Sequence, residues 1–220
     1  MRSTPFSYEC AGCGRCCFEK RIVVNPYEIA RIAEALALST TQVIARYTVE
    51  GGTVLRQRED GGCSLLDGKG CSVHRGRPLV CRLYPLGRVV QRGEESFVQL
   101  RGHPESTGKL GENGTIGAFL ESQGTERHIA ASARYFELFN RLVALLQARP
   151  EGAGAFHSVV ANGAAADDVL EWLDVDATLA RHAEGEIPSD VEARIALHLR
   201  FFERELAALE VQPSARVMGS

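Results

Sequence analysis

Hydrophobic residues in this chain fall at three- and four-residue steps in several stretches, separated by breaks rich in glycine, proline and serine. The first such stretch opens at Asn25-Pro26-Tyr27-Glu28. Asn caps the helix, Pro occupies its first turn, and Glu reaches back to the capping residue. Ile29, Ile32, Ala33 and Leu36 then share one face. Ser39-Thr40-Thr41-Gln42 repeats the capping pattern and starts a second short helix that turns Val43, Ile44 and Tyr47 toward a core. Two such helices in succession can form a DNA-reading pair, but the second offers only Arg46 as a basic contact, so a packed helical hairpin is the expectation.

The middle of the chain has the punctuation of short strands. Gly51-Gly52 opens a strand over Thr53 to Arg58, and Gly61-Gly62 closes it. Cys63 to Cys71 reads as a tight hairpin with its turn at Asp67-Gly68 and a cysteine at each end. A second hairpin pairs Arg88 to Val90 with Ser96 to Leu100. From Thr115 the period is helical again. Thr125 to Gln147 carries Ile129, Phe136, Phe139, Leu142, Val143 and Leu146 at helical steps. Arg149 to Ala166, rich in Gly and Ala, reads as a connection. Asp167 to Ala183 and Pro188 to Leu209 read as two further helices, the latter with Val191, Ile195, Leu199, Phe202, Leu206 and Leu209 on its core face.

Composition narrows the class. At 220 residues, 45% hydrophobic and 24% charged, the chain is an ordinary globular sequence, and its net charge of −3 supplies no field for nucleic acid or an anionic membrane. No apolar run approaches the roughly 18 residues of a membrane span. The segment Met1 to Cys10 lacks an apolar signal core, which makes the cytoplasm the expected location.

The chemistry is concentrated in seven cysteines: Cys10, Cys13, Cys16, Cys17, Cys63, Cys71 and Cys81. An odd number confined to the N-terminal part suits metal ligation better than a disulfide framework. Cys10-x2-Cys13-x2-Cys16 has the spacing that wraps a chain around a metal cluster, and Gly12 and Gly14 permit the backbone angles this needs. Cys17 follows Cys16 directly, and adjacent side chains are expected to point apart, toward two centres or two roles. Seven thiolates exceed one four-coordinate site and fall one short of two; His74 and His103 are the candidates for the eighth donor.

These residues resemble a family. Cys10-x2-Cys13-Gly-x-Cys16-Cys17, the Asn25-Pro26-x-Glu-Ile helix, then Gly62-Cys63-x7-Cys71 and Arg77-Pro78-x2-Cys81-Arg82-x2-Pro85 are similar to the CxxCxxCC, or YkgJ-like, cysteine-cluster family over about Phe6 to Gly108. The resemblance implies chelation of zinc or iron. Some members are labelled iron–sulfur oxidoreductases, and flagellin lysine methylases share the motif. Members often carry a further cysteine in a Cys-Pro-Gly stretch where this chain has His103-Pro104-Glu105, which implies His103 as a ligand. Arg77 and Arg82 lie inside the family motif, which implies that they sit behind the ligands or bind an anion; Arg75 and Arg88 read as solvated surface.

The expected architecture is therefore α-rich α+β: a cysteine-cluster metal-binding domain over 1–110, clamped by metal and built of short helices and hairpins, a helical extension over 111–211, and a frayed tail over 212–220. Iron–sulfur clusters with a redox role are favoured, and an iron–sulfur oxidoreductase is the corresponding enzyme class. A structural zinc module that binds a partner is the alternative, and a metal-assisted enzyme of the methyl-transfer type is the third reading. The sequence has no nucleophile elbow, dinucleotide fingerprint or His-Glu-x-x-His motif, so any catalysis would occur at the metal. The expected partners are an unidentified redox or protein partner and a second copy of the chain through the C-terminal helices.

Overall fold

The computed structural model describes residues 1–68, 70–147 and 172–211. It is an α+β molecule, with short antiparallel hairpins in the N-terminal part and helices C-terminal to them. Helix α1 (Pro26–Leu36) carries the full capping box: the Asn25 side chain accepts from Glu28 N–H, and the Glu28 carboxylate accepts from Asn25 N–H. Helix α2 (Thr40–Tyr47) is capped in the same way by Ser39 and Gln42. Strands β2 (Thr48–Val49) and β3 (Val54–Leu55) pair across Glu50 to Thr53. The strand expected over Thr53 to Arg58 is thus confined to two residues, because beyond Leu55 the chain bonds other loops, with Arg56 N–H donating to Tyr47 O and Arg58 N–H to Gly62 O.

Strands β4 (Leu66–Asp67) and β5 (Gly70–Cys71) form the small cysteine hairpin. Asp67 pairs with Gly70, so the turn lies one residue later than expected, and Cys63 stands outside the ladder in an isolated bridge with Gln57. Helix α3 (Leu79–Leu83) follows a 3-10 turn over His74–Gly76. Strands β6 (Leu86–Gln91) and β7 (Glu94–Gln99) make the second hairpin, longer than its apolar residues suggested. Strand β1 (Pro5–Glu9) pairs antiparallel with β8 (Lys109–Thr115), and helix α4 (Ile116–Ser122) follows directly. The 110/111 boundary drawn from sequence falls within β8.

Helix α5 (Glu126–Gln147) packs against α7 (Val191–Val211), and α6 (Val175–His182) lies between α2 and α7. The buried face of α5 is His128, Tyr135 and Leu138, whereas Phe136 and Phe139 are 66% and 53% exposed. The buried face is rotated from the expected stripe, because His128 and Tyr135 find polar partners on the core side in Arg82 and His198. On α7 the expected face is correct at Val191, Ile195, Phe202 and Leu206, with the buried His198 added to it. The helix expected over Asp167 to Ala183 is interrupted at Asp174, which caps α6 by accepting from Ala177 N–H. Residues 167–171 of it, the expected connection over 149–166, the side chain of Leu146 and the tail from 212 lie outside what the structure describes.

Helix α1 joins the two halves. Ile29, Ile32 and Ala33 pack with Val43, Leu55, Leu65 and Val73 under the cysteine loops, while Tyr27 and Ala30 pack with α5, α6 and α7. Tyr27, Ile29 and Ile32 are essentially sealed from solvent, each stabilising the fold by about 1.5–3 kcal/mol. A third cluster, around Phe6, Leu83, Leu86 and Phe119, holds the β1–β8 pair against α3 and α4.

Candidate metal centre

Four separate pieces of chain carry the cysteines to one place. Gly14 adopts φ 70, a left-handed geometry open to glycine, and turns the chain into the 3-10 segment Arg15–Cys17. Cys63 N–H donates to Cys17 O at 2.9 Å and Glu19 N–H to Gly61 O at 2.9 Å, which stitches the first cysteine loop to the second. Cys71 sits in β5, across from Leu66. Cys81 is carried by α3, whose N-terminus is fixed by the buried Glu28: its carboxylate accepts from Leu79 N–H at 2.7 Å. Gly76 packs so closely on α1 that a Cβ there would collide with Arg31 O. That contact sets the span between Cys71 and Cys81.

Six of the seven cysteines, all but Cys13, line a cavity of about 730 Å3. Cys16, Cys17, Cys63, Cys71 and Cys81 are half-buried and Cys10 and Cys13 exposed, and all seven are free thiols. The Cys16 and Cys17 sulfurs lie 3.9 Å apart. Neighbouring side chains therefore do not point apart as expected, because the 3-10 turn folds both to the same side. The separation matches the sulfur spacing of a tetrahedral thiolate site, about 3.8 Å for metal–sulfur bonds near 2.3 Å.

The electrostatics describe a set of thiols that cannot all ionise unaided. Burial raises the pKa of Cys63 and Cys71. Burial, followed by the nearby sulfurs of Cys63 and Cys71, raises that of Cys81 strongly. The hydrogen bond between Cys16 and Cys17 lowers the first and raises the second. A cation among these sulfurs removes that penalty. Backbone N–H groups already point at sulfur in a repeating way. Gly12 N–H donates to Cys10, Arg15 N–H to Cys13, Leu65 N–H to Cys63 and Val73 N–H to Cys71. Each is the residue two positions after its cysteine, and such donors stabilise the thiolate that a metal needs. This soft, N–H-supported donor set fits zinc or an iron–sulfur group. Among the described residues, however, no three His, Cys, Asp or Glu side chains already stand at metal-holding geometry.

Arg82 is the cation behind the thiols. It is 8% exposed and donates to Arg75 O, to Arg77 O at 3.0 Å, to Gln123 O at 2.8 Å and to His128 Nε2 at 3.1 Å. These bonds tie the 74–78 segment to α4 and α5 beside Cys81. Arg77 donates to His74 O and to Gln123 Oε1, and both ring nitrogens of His74 lie within 3.0 Å of its Nη1. Burial and the two arginines lower the His74 pKa. Arg88 is elsewhere, paired with Glu95 on β7 at 2.5 Å.

His103 does not line the cavity. It belongs to the turn that docks on the exposed Cys13, whose pKa is lowered chiefly by Thr107 N–H. Arg15 and Glu105 form an ion pair at 2.9 Å across the same contact. The His103 Nδ1 accepts from Glu105 N–H at 3.1 Å, which leaves the proton of the neutral ring on Nε2. The sequence did not single out His128. This ring meets Arg82 edge to guanidinium and Tyr27 edge to face, and burial followed by the Arg82 charge lowers its pKa to about 4.

Residues 9–102 match the model of the CxxCxxCC family, described as "Putative zinc- or iron-chelating domain". Over 92 residues the chain is 35% identical to an uncharacterized protein of Methanocaldococcus jannaschii, MJ0661; the stretch is 40% of this chain and 50% of that protein. This chain thus aligns with half the length of that relative. No solved structure matches.

Proposed function

We propose that this protein, whose residues 9–102 match the CxxCxxCC family model, chelates metal through its clustered thiols, holding iron as an iron–sulfur group in a redox role. The observation that supports this most is the convergence of five half-buried cysteines, from four stretches of chain, on one cavity. Cys16, Cys17, Cys63, Cys71 and Cys81 are assigned as the principal ligands. Cys10 and Cys13 with His103 form the outer set, and His103 becomes a donor when it gives up its bond to Glu105. An iron–sulfur group, when bound, supplies one-electron transfer. The chain's own residues supply the rest: N–H donors stabilise sulfur charge, Arg82 offsets it from behind, and the core below excludes water from Cys81. The free thiols suit a reducing compartment, so the cytoplasm is the proposed location. Among the described residues, no helix is long and apolar enough to cross a membrane.

One observation favours zinc instead. Cys63 and Cys71 flank a two-stranded hairpin and each receives an N–H from the residue two positions on, an arrangement equally suited to a structural zinc staple. Anaerobic purification followed by iron, zinc and acid-labile sulfide analysis separates the readings. Stoichiometric iron and sulfide with visible absorbance that bleaches on dithionite supports the iron–sulfur role. Colourless protein with stoichiometric zinc after iron-supplemented expression replaces it with the structural one.

A further inference from the structure

The cavity is far larger than a metal site needs. Metal bonded about 2.3 Å from its sulfurs, as an ion or in an iron–sulfur group, occupies the sulfur-lined part of the cavity, whose 730 Å3 is within the roughly 300–1,000 Å3 of small-molecule sites. The walls outside the sulfur cluster are apolar, formed by Val80, Leu100, Phe119 and Tyr84. Val80 and Leu100 are 42% and 40% exposed, an apolar lip left open at the mouth. The charges on the lining are all of one sign apart from the thiols: Lys20, Arg75, Arg77, Arg82 and Arg101, with no carboxylate among the described lining residues.

These cations differ in availability. Arg82 and Arg77 are held by carbonyls, His128, His74 and Gln123. The side chains of Lys20, Arg75 and Arg101 are exposed and form no ion pair with another described residue. Elsewhere on this surface arginines are commonly paired, as in Arg2–Glu95, Arg58–Asp60 and Arg141–Glu210. Three unneutralised cations around an apolar opening complement an anion that also has apolar surface to bury.

We propose that this cavity binds a small organic anion with an apolar body, its charged group at Arg75 and Arg101 and its body against Val80, Leu100, Phe119 and Tyr84. The inference deepens the metal-binding reading, since it names the ligand class of the same cavity, and rests on that reading for a metal beside the ligand. In this arrangement Cys10 and Cys16 border the bound molecule, so its apolar part lies next to the thiol cluster, and Lys20 adds a further positive charge to the lining.

The test uses the full chain as purified anaerobically, with metal content measured on every sample. The probes are 8-anilino-1-naphthalenesulfonate and its uncharged counterpart, N-phenyl-1-naphthylamine. The sulfonate is expected to saturate at one per chain and bind at least about tenfold tighter than the uncharged probe, the scale of one or two charge-assisted hydrogen bonds. The double variant Arg75→Gln/Arg101→Gln should weaken the sulfonate about tenfold and leave the uncharged probe and metal content unchanged. Leu100→Glu should weaken both probes. Equal affinity for the two probes, or sulfonate affinity untouched by the double variant, overturns the proposal. Charge-dependent binding by folded protein that carries no metal supports the organic-anion site and defeats the metal reading. Stoichiometric metal with no charge-dependent binding does the reverse.

Discussion

Buried histidines give this protein an acid sensitivity that is separate from its thiols. His198 is fully buried on α7, its Nδ1 is 2.8 Å from Tyr135 Oη, and its Nε2 has no hydrogen-bond partner among the described residues. Burial lowers its pKa to about 3. The unfolded chain therefore binds a proton that the native state refuses below about pH 6.5. The stabilising contribution is complete above that value and is lost as the pH falls toward the folded pKa, about 2 kcal/mol of it by pH 5. Urea unfolding at pH 7.5 and pH 5 should show the native protein losing about that much more than His198→Phe; equal losses would contradict the assignment. His103 is tested at the same scale. Because its turn contacts Cys13 and not the cavity sulfurs, His103→Ala should reduce only the metal fraction lost in Cys13→Ala. Loss of all metal would place His103 in the cavity set instead.

The elements carry the cysteines, and their closest tolerances lie where loops meet α1. Gly76→Ala places a methyl group against Arg31 O. Overpacking of this kind costs about 1–3 kcal/mol. It should also lower the metal content by moving Cys71 relative to Cys81, read as metal per chain alongside the unfolding midpoint; unchanged metal would show that the 74–78 segment does not set the site. The sequence made the capped starts of α1 and α2 legible because capping chemistry is local: Asn25, Pro26 and Glu28 define one end of a helix without help. The cysteine spacing was legible for the same reason. The face of α5 was not, since Phe136 and Phe139 outrank His128 in hydrophobicity while buried Arg82 and Tyr27 turn that histidine inward. The pairing of β1 with β8 joins residues about a hundred positions apart, and Lys109–Thr115 lacks hydrophobic alternation, so no local signal marks it. The convergence of Cys16 and Cys17 depends on a 3-10 turn that spacing alone does not specify.

At the scale of the molecule, the cysteine half and the helical half share α1, with one side of that helix in each core. A helix shared in this way should couple the unfolding of the two halves. Replacing Cys71 by Ser should lower the thermal midpoint of the whole protein, with helical and thiol-half probes melting together; a separate, unshifted helical transition would contradict this coupling. The chemistry of this protein depends on its thiols being held by metal. Thiol titration of the native, anaerobically purified chain, before and after adding a chelator and denaturant, measures that directly. Few reactive thiols are expected in the native protein and all seven after metal removal. Seven freely reactive thiols in a folded, metal-free chain would contradict it.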